Sequence, residues 1–190
     1  MIIGIGHKKQ VGKDLLAHFL SDYIYTKYGI ATKIVSFADP LYDTCYRLYG
    51  WCGFKTRAYY NMNPHKKNKP LLHIGKTPRE ILIDLGTKGI RQQVWEDTWV
   101  QLLLQENKSH RVILVPDVRF PNEARGIRQV GGKLIRVIRP SVADTPDPAD
   151  CALNGYEGWN YCILNDGTME DLMLKAREVA DGIFNTRTPM

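Results

Sequence analysis

The stretch MIIGIGHKKQVGKDLLAHFL, residues 1–20, decides the fold. Met1–Ile5 is an apolar run typical of a buried strand, and Leu15–Leu20 has the composition of a helix. A loop that enters a helix points unpaired backbone N–H groups and the positive end of the helix dipole at one spot, where a phosphate chain can bind. The stretch therefore predicts a phosphate-binding loop, or P-loop, in which Lys13 reaches the β- and γ-phosphates of ATP.

The predicted loop departs from the usual P-loop pattern. Usual spacing places a glycine at position 7, but here that residue is His7, with Gly6 one position earlier. Asp14 stands where Ser or Thr normally contacts Mg²⁺, and Leu15 carries no hydroxyl. We expect Asp14 to ligate the ion through water, unless another residue takes that role; the alternative for the whole segment is an ordinary turn with solvated lysines. The residues expected to contact ATP here are Gly6, His7, Lys8, Lys9, Gln10, Val11, Gly12, Lys13 and Asp14.

Length and composition set the class of protein. A chain of 190 residues suits one α/β domain with a substantial core. Lys and Arg (26) exceed Asp and Glu (20), and the net charge of +6 favours anionic partners: nucleotides, nucleic acid, or an anionic membrane. Without a membrane-length apolar run or a signal peptide, a cytoplasmic protein is expected. The four cysteines have neither zinc-finger nor CxxC spacing, so reduced thiols are expected.

Strands and helices alternate along the chain. Strands are predicted at residues 1–6, 32–37, 111–117, 133–138 and 161–165. Five strands with helical crossovers predict an α/β fold: a five-stranded parallel sheet with helices on both faces and a ligand beyond the carboxyl ends of the strands. Residues 40–107 are predicted helical with an irregular interruption at 53–76. Thr77–Glu80 is a capping box that starts a helix ending near Gly86, and a further helical stretch is predicted to about Trp95. Residues 141–159 are expected to form a loop.

Four groups follow strands and should converge at that edge: the Lys13 loop, Asp39, Asp117–Arg119 and Asn165–Gly167. Asp117 occupies the place where P-loop enzymes keep the carboxylate that holds Mg²⁺ through water, and Arg119 is placed to bridge transferring phosphates. Asn165 and Gly167 could offer backbone groups to an adenine edge. Helix or turn capping for the aspartates, a surface ion pair for Arg119 and a plain turn at 165–167 are the structural alternatives.

Five segments carry a resemblance to a known family. They are GKD at 12–14, SFADPL at 36–41, TPRE at 77–80 with LGT at 85–87, PDVRFPNE at 116–123, and NDGTMEDL at 165–172. In these segments, in this order, the chain resembles the phage-type deoxynucleoside monophosphate kinases of the P-loop kinase superfamily. The fourth and fifth are long enough to weigh more than the degenerate loop.

The resemblance implies transfer of the ATP γ-phosphoryl group to a deoxynucleoside 5′-monophosphate, with Mg²⁺, by a single P-loop kinase domain over residues 1–190. Residues 40–107 would be its helical substrate-binding insert and 185–190 a tail. Its partners would be small molecules rather than membranes or nucleic acid, in a host cytoplasm if the chain is phage-encoded, and a homodimer is left open.

The resemblance also implies roles for particular residues. Lys13 would neutralise the β/γ-phosphates and Arg119 the bridging oxygens, while the catalytic Asp117 would hold Mg²⁺ together with Asp14. Arg79 is expected to bind the acceptor phosphate, and Asp39 to face the substrate. Arg125 and Arg128 fit either a mobile lid or a solvated helix face, and four aromatic residues fit either the core or base stacking: Trp95, Trp99, Tyr59 and Tyr60.

Departures from the family keep other functions open. Many relatives have Thr in place of Leu15 and a His-x-Ser-Glu segment where this chain has residues 146–151, so base specificity is not predicted. One alternative is a P-loop kinase for another phosphorylated metabolite, such as phosphomevalonate or dephospho-coenzyme A. Another is a nucleotide-binding protein without catalysis. A third is a nucleic-acid-binding module, indicated by the charge and by Lys55, Arg57, Lys66, Lys67 and Lys69.

Overall fold

The computed structural model describes residues 1–107, 109–143 and 148–185. Residues 146–147 of the departing segment and 186–190 of the predicted tail lie outside these ranges. The chain divides into two compact units: the first combines residues 1–36 with 103–190, and the second is Phe37–Leu102. The second unit overlaps the predicted insert at 40–107, and the single-domain interpretation stays a prediction.

The first unit is built on a five-stranded parallel sheet, as predicted. Its strands are β1 (Ile2–Gly6), β2 (Thr32–Ile34), β3 (Val112–Val118), β4 (Lys133–Ile138) and β5 (Tyr161–Leu164), in the order β2-β3-β1-β4-β5. β1 is central and buried along its whole length, as its unbroken apolar composition predicts for a parallel strand covered on both faces. β2 is shorter than predicted, although the Val35 N–H still donates to the Leu114 carbonyl oxygen at 3.0 Å.

Helices cover both faces of the sheet. On one face, α1 (Lys13–Tyr28) and α8 (Met169–Phe184) bury Leu16, Leu20 and Leu172 against Ile3 and Ile5. On the other face lies α6 (Pro121–Gln129), whose Ile127 is so close that a Cβ at Gly4 would stand 2.6 Å from its terminal methyl carbon. Glycine at position 4 therefore permits this close helix packing.

An irregularity in β3 lies next to the carboxyl edge of the sheet. Gly4 pairs with Val115 and Gly6 with Val118, so β3 contains one residue more than β1 between these two points. Pro116 lies in this interval and has no N–H for the ladder, which accounts for the interruption. Such a bulge re-aims a side chain, and here the affected residue is Asp117.

The second unit is helical around an aromatic core. It contains α2 (Asp39–Tyr49), α3 (Arg57–Met62), α4 (Pro78–Leu82) and the first residues of α5 (Thr98–Glu106), with 3₁₀ turns at Gly50–Cys52 and Pro64–Asn68. Tyr42, Phe54 and Tyr60 pack with ring centroids 5.5 to 6.3 Å apart. The Thr77–Glu80 capping box is present as predicted.

Two predictions of local structure are wrong. The predicted helix end near Gly86 is absent: the helix that starts at Pro78 continues without a break as a wide π-helix over Ile83–Val94, so the helical stretch predicted to about Trp95 is present. A Cβ at Gly86 would overlap the Leu41 side chain, so this glycine serves close packing rather than helix termination. Within the predicted loop at 141–159, Pro148–Cys151 forms the short helix α7. No helix in the described ranges is long and apolar enough to cross a membrane.

Thiol reactivity tests this packing. Cys45 and Cys52 are buried, whereas Cys151 and Cys162 are exposed, and burial raises the pKa of the Cys45 thiol to about 11 from an ordinary 9.0. At pH 8 this lowers the Cys45 thiolate population by about 100-fold, so we expect an aromatic disulfide reagent to modify two thiols quickly and Cys45 only on unfolding. Equal rates for all four thiols in the folded protein would contradict this arrangement.

Candidate active site

The loop between β1 and α1 has an unusual backbone. Positive φ angles occur at His7 (95°), Gln10 (61°) and Gly12 (97°). Gly12 adopts its angle without a side-chain penalty, whereas His7 and Gln10 each carry strain of about 1–3 kcal/mol. Such strain persists only where the surroundings hold the backbone. The replacement of glycine by His7 therefore requires contacts that compensate for it.

His7 is held at both its backbone and its ring. Its N–H donates to the Val118 carbonyl oxygen at 3.3 Å, and its ring Nε2 lies 3.1 Å from Asn154 Oδ1. The side chain is 5% exposed, and this burial lowers its pKa below the ordinary 6.5 despite the hydrogen bond to Asn154. The ring is therefore mainly neutral at pH 7, and its role is to anchor the loop.

Lys13 brings the predicted catalytic groups of the first unit together. It is the first residue of α1, is 5% exposed and donates from Nζ to the Lys8 carbonyl oxygen. Burial, followed by the charge of Arg119, lowers the Lys13 pKa to about 8, while Asp14, Asp150 and Asp117 oppose that shift. Asp14, Asp117 and Arg119 thus all act on the same ammonium group.

Asp117 and Arg119 are positioned by their own neighbours. The Ser36 hydroxyl donates to Asp117 Oδ2 at the end of the bulged strand. The Glu123 carboxylate, which is 3% exposed, accepts the Arg119 N–H at 2.7 Å and the Phe120 N–H at 3.0 Å, capping α6. The PDVRFPNE segment therefore turns sharply from β3 into α6 and leaves Arg119 beside the loop.

Asp150 is a site residue that the sequence reasoning missed. It lies on α7, is 2% exposed, and accepts the Lys9 N–H at 3.1 Å on Oδ1. Its Oδ2 lies 3.2 Å from Lys9 Nζ, and Oδ1 lies 3.7 Å from Arg119 Nη1. Arg119 is therefore paired with a buried carboxylate. Pro148, which favours a helix start, was the available signal for α7.

Asn165 and Gly167 follow β5, and Asn165 contacts the loop between β1 and α1. Asn165 Nδ2 donates to the Val11 carbonyl oxygen at 2.9 Å, and a Cβ at Gly12 would lie 2.6 Å from that nitrogen. Gly167 allows the Asp171 carboxylate to approach and cap α8. Asn165 thus braces the phosphate loop; contact of either residue with adenine stays a prediction.

The second unit contains a separate cationic cluster around Tyr42. Asp39 accepts a hydrogen bond from Arg57 Nη1, and Arg79 Nε donates to Asn68 Oδ1 at 3.0 Å. Lys67 Nζ lies 5.2 Å from the centroid of the Tyr42 ring. Burial raises the Tyr42 pKa to about 12, while the charges of Arg57 and Arg79 oppose the shift, so both guanidinium groups lie near this hydroxyl.

The remaining residues predicted to contact a ligand differ in burial. Tyr60 and Trp99 belong to the core of the second unit, and Trp99 Nε1 donates to the Gly86 carbonyl oxygen at 3.2 Å. Trp95 is 53% exposed. Arg125 and Arg128 are exposed on α6, and a lid role for them stays a prediction.

The carboxylates fit a site for Mg²⁺ shared with phosphate. In the ranges that the structure describes, no group of three or more His, Cys, Asp or Glu side chains could hold a metal ion alone. Mg²⁺ is usually held by one or two carboxylates, water and the phosphates of its substrate. Asp14 and Asp117, which both act on the Lys13 ammonium, match that requirement.

The lowered pKa of Lys13 predicts how anion binding depends on pH. A pKa of about 8 means that Lys13 is protonated at pH 7 and neutral at pH 9.5. We expect inorganic triphosphate to bind more weakly as the pH rises through 8, and binding at pH 8.5 to take up a proton, because the bound anion favours the ammonium form. Calorimetry in two buffers of different ionisation enthalpy measures both.

The control lies on the same helix. Lys13→Ala should remove this pH dependence. Lys27→Ala changes a lysine in the last turn of α1, about 20 Å along the axis, and should retain it. An identical pH profile for wild type and Lys13→Ala would contradict the assignment of Lys13 as the anion-binding cation.

Comparisons with known proteins found a viral relative and a distant structural neighbour. No protein-family model matches the chain. A protein of Acanthamoeba polyphaga mimivirus named "Putative deoxynucleotide monophosphate kinase" is 28% identical over 186 residues, covering 90% of this chain and 91% of that protein. The crystal structure of shikimate kinase from Aquifex aeolicus aligns with 96% of this chain and 98% of its own at 11% identity and a TM-score of 0.46. The viral relative confirms the resemblance predicted from the sequence: the chain is similar to a protein named as a putative deoxynucleotide monophosphate kinase, and its fold is the predicted five-stranded parallel sheet with helices on both faces.

Proposed function

We propose that the protein phosphorylates deoxynucleoside 5′-monophosphates to diphosphates with ATP. The observation that carries this proposal is the buried Lys13 ammonium at the start of α1, whose pKa responds to the charges of Arg119, Asp14 and Asp117, together with the Ser36 contact that holds Asp117 and the Asp150 contact that holds Arg119. The name of the viral relative supports the choice of acceptor. Phosphoryl transfer needs positioning and charge neutralisation rather than a protein nucleophile, which suits this set of groups.

The first unit would hold the phosphate donor. Lys13 neutralises the β- and γ-phosphates of ATP, and the loop amides up to Asp14 bind their oxygens. The Lys9 N–H already donates to Asp150, so the amides after Lys9 would bind the phosphate oxygens. Asp14 and Asp117 would hold Mg²⁺, and the bound ion would supply charge neutralisation at the phosphate oxygens.

The transfer itself forms one bond and breaks one. An oxygen of the acceptor phosphate attacks the γ-phosphorus, and the bond from that phosphorus to the β,γ-bridging oxygen breaks. The products are a deoxynucleoside diphosphate and ADP. Arg119 stabilises the charge on the bridging oxygen, and Lys13 stabilises that on the γ-phosphate.

The second unit would bind the acceptor phosphate at Arg79. An intrahelical partner does not explain this arginine, because Asp84 is bonded to Lys76 at 2.6 Å and to Lys88 at 2.8 Å. In the described part of the chain, Arg79 uses only Nε, toward Asn68, so both Nη atoms are available for a bidentate contact with phosphate. Asp39 is paired with Arg57, so it would act by orienting that guanidinium group.

The test is an ADP-release assay coupled to NADH oxidation, run with a panel of acceptors. The panel contains the four deoxynucleoside monophosphates, the four ribonucleoside monophosphates, phosphomevalonate and dephospho-coenzyme A. We expect turnover with at least one deoxynucleoside monophosphate at a higher kcat/KM than with any metabolite. Turnover only with phosphomevalonate or dephospho-coenzyme A would replace the proposed acceptor, and ATP binding without turnover would support a protein that has lost catalysis.

Asp117→Asn separates a metal ligand from a structural cap. Asn can still accept the Ser36 hydroxyl, so the fold should survive. The loss of the charge should reduce kcat about 10- to 100-fold and raise the Mg²⁺ concentration needed for half-maximal rate. Titration of the rate with Mg²⁺ measures both. Unchanged kinetics would assign Asp117 to capping, where Asn and Asp are nearly equivalent.

Arg79→Lys tests the acceptor site. Lysine keeps the charge but loses the fork that binds a phosphate through two parallel bonds. We expect the KM for the monophosphate to rise about tenfold, equivalent to about 1.4 kcal/mol, with the KM for ATP changed much less. Arg47→Lys, in the last turn of α2, is the matched control and should leave both values unchanged. A lower melting temperature with an unaltered acceptor KM would place the acceptor elsewhere.

A further inference from the structure

We propose that Asp150 is a positioning residue that fixes Arg119 relative to the phosphate loop. The proposal rests on the proposed kinase function for the role of Arg119, and on the geometry of α7 for the role of Asp150. Its carboxylate is the point at which the loop, α7 and the segment after β3 meet.

The contacts of Asp150 use both of its oxygens. Oδ1 accepts the backbone N–H of Lys9 at 3.1 Å and lies 3.7 Å from Arg119 Nη1, while Oδ2 lies 3.2 Å from Lys9 Nζ. A carboxylate with two partners on one oxygen fixes the distance between them. Asp150 therefore holds the Arg119 guanidinium group at a set distance from the loop backbone. A contact with the flexible Lys9 side chain alone would not set that distance.

Burial makes this link rigid. Asp150 is 2% exposed, whereas the side chains of Lys9 and Arg119 are 38% and 35% exposed. Salt screens the interactions of a buried carboxylate only weakly. If its partners move away, the carboxylate is left as a buried charge without compensation, which is energetically costly. Both side chains keep more than a third of their surface exposed, so a ligand can still reach them while they are paired with Asp150.

The charges near Asp150 also support a positioning role for this residue. Lys9, Lys13 and Arg119 place three cations near one another, and Arg119 destabilises the charged form of Lys13. The buried Asp150 carboxylate compensates this repulsion before any ligand arrives. The same segment also carries Asn154, which bonds the strained His7 at 3.1 Å, so α7 and the residues after it hold the loop at two points.

The opposite role would be competition, in which Asp150 occupies the cations as a stand-in for phosphate. The two roles predict opposite effects when the charge is removed. If Asp150 positions its partners, Asp150→Asn weakens triphosphate binding and slows transfer. If it competes, the same change tightens triphosphate binding.

The experiment combines a double-mutant cycle with a binding measurement. Asp150→Asn should lower kcat at least tenfold with less than a threefold change in the acceptor KM, because Arg119 acts at the transferring phosphate and not at the acceptor site. In an Arg119→Ala background, Asp150→Asn should lower kcat by less than a further threefold, since the guanidinium group that Asp150 positions is absent. Multiplicative effects of the two changes would overturn the proposal, because they would mean that Asp150 does not act through Arg119.

The binding of inorganic triphosphate, measured by calorimetry, tests the proposal without requiring that the protein transfers phosphate. We expect Asp150→Asn to weaken it about tenfold and Asp150→Glu to restore part of that loss; unchanged or tighter binding overturns the proposal. Asp181→Asn, which removes a carboxylate paired with Lys27 at 2.8 Å in the same unit, is the matched control and should bind as wild type does. If wild type transfers no phosphate, the proposed function fails, and the binding arm still decides the role of Asp150. Failure of both Asp150→Asn and Asp150→Glu to fold would assign Asp150 to stability alone and overturn the proposal.

Discussion

The burial of the Lys13 ammonium group at the start of α1 is the constraint on which the site depends. A buried cation is costly unless charges and hydrogen bonds compensate for it. The Lys8 carbonyl oxygen and three carboxylates, those of Asp14, Asp117 and Asp150, provide that compensation. The carboxylates come from three separate parts of the chain, so folding of the first unit assembles the site. A phosphate chain would add a further anionic partner for the Lys13 ammonium and the loop amides.

The sheet and the residues that follow its strands position the loop and the charged groups near Lys13. β1 is central and fully buried, so the loop that follows it starts from a rigid point. The bulge in β3 places Asp117 at the same edge, and Glu123 turns the chain so that Arg119 follows. Asn165, at the end of β5, braces Val11. Proteins commonly support mobile or strained loops in this way, on residues that themselves are held by regular structure.

Local signals allowed most of the fold to be predicted from the sequence, and non-local contacts account for what was missed. The five apolar runs and the Thr77 capping box act within a few residues, and they predicted the strands and one helix start. Asp150 contacts Lys9 across 141 residues, which no spacing reveals. Gly86 looked like a helix end because its packing against Leu41 is not visible locally. Arg79 and Asp39 were predicted to face the substrate, whereas Arg57 and Lys67 were named only as part of a basic segment, because no spacing in the sequence shows that these residues form one cluster.

The proposed function requires that the Lys13 loop binds ATP for transfer of its γ-phosphoryl group to another phosphate. The most direct test is ³¹P NMR of the protein with ATP, Mg²⁺ and an equimolar mixture of the four deoxynucleoside monophosphates. We expect the γ-phosphate resonance of ATP to decline while β-phosphate resonances of ADP and of a deoxynucleoside diphosphate grow in equal amounts. Release of inorganic phosphate in place of the second diphosphate, or an unchanged ATP spectrum over many hours, would contradict it.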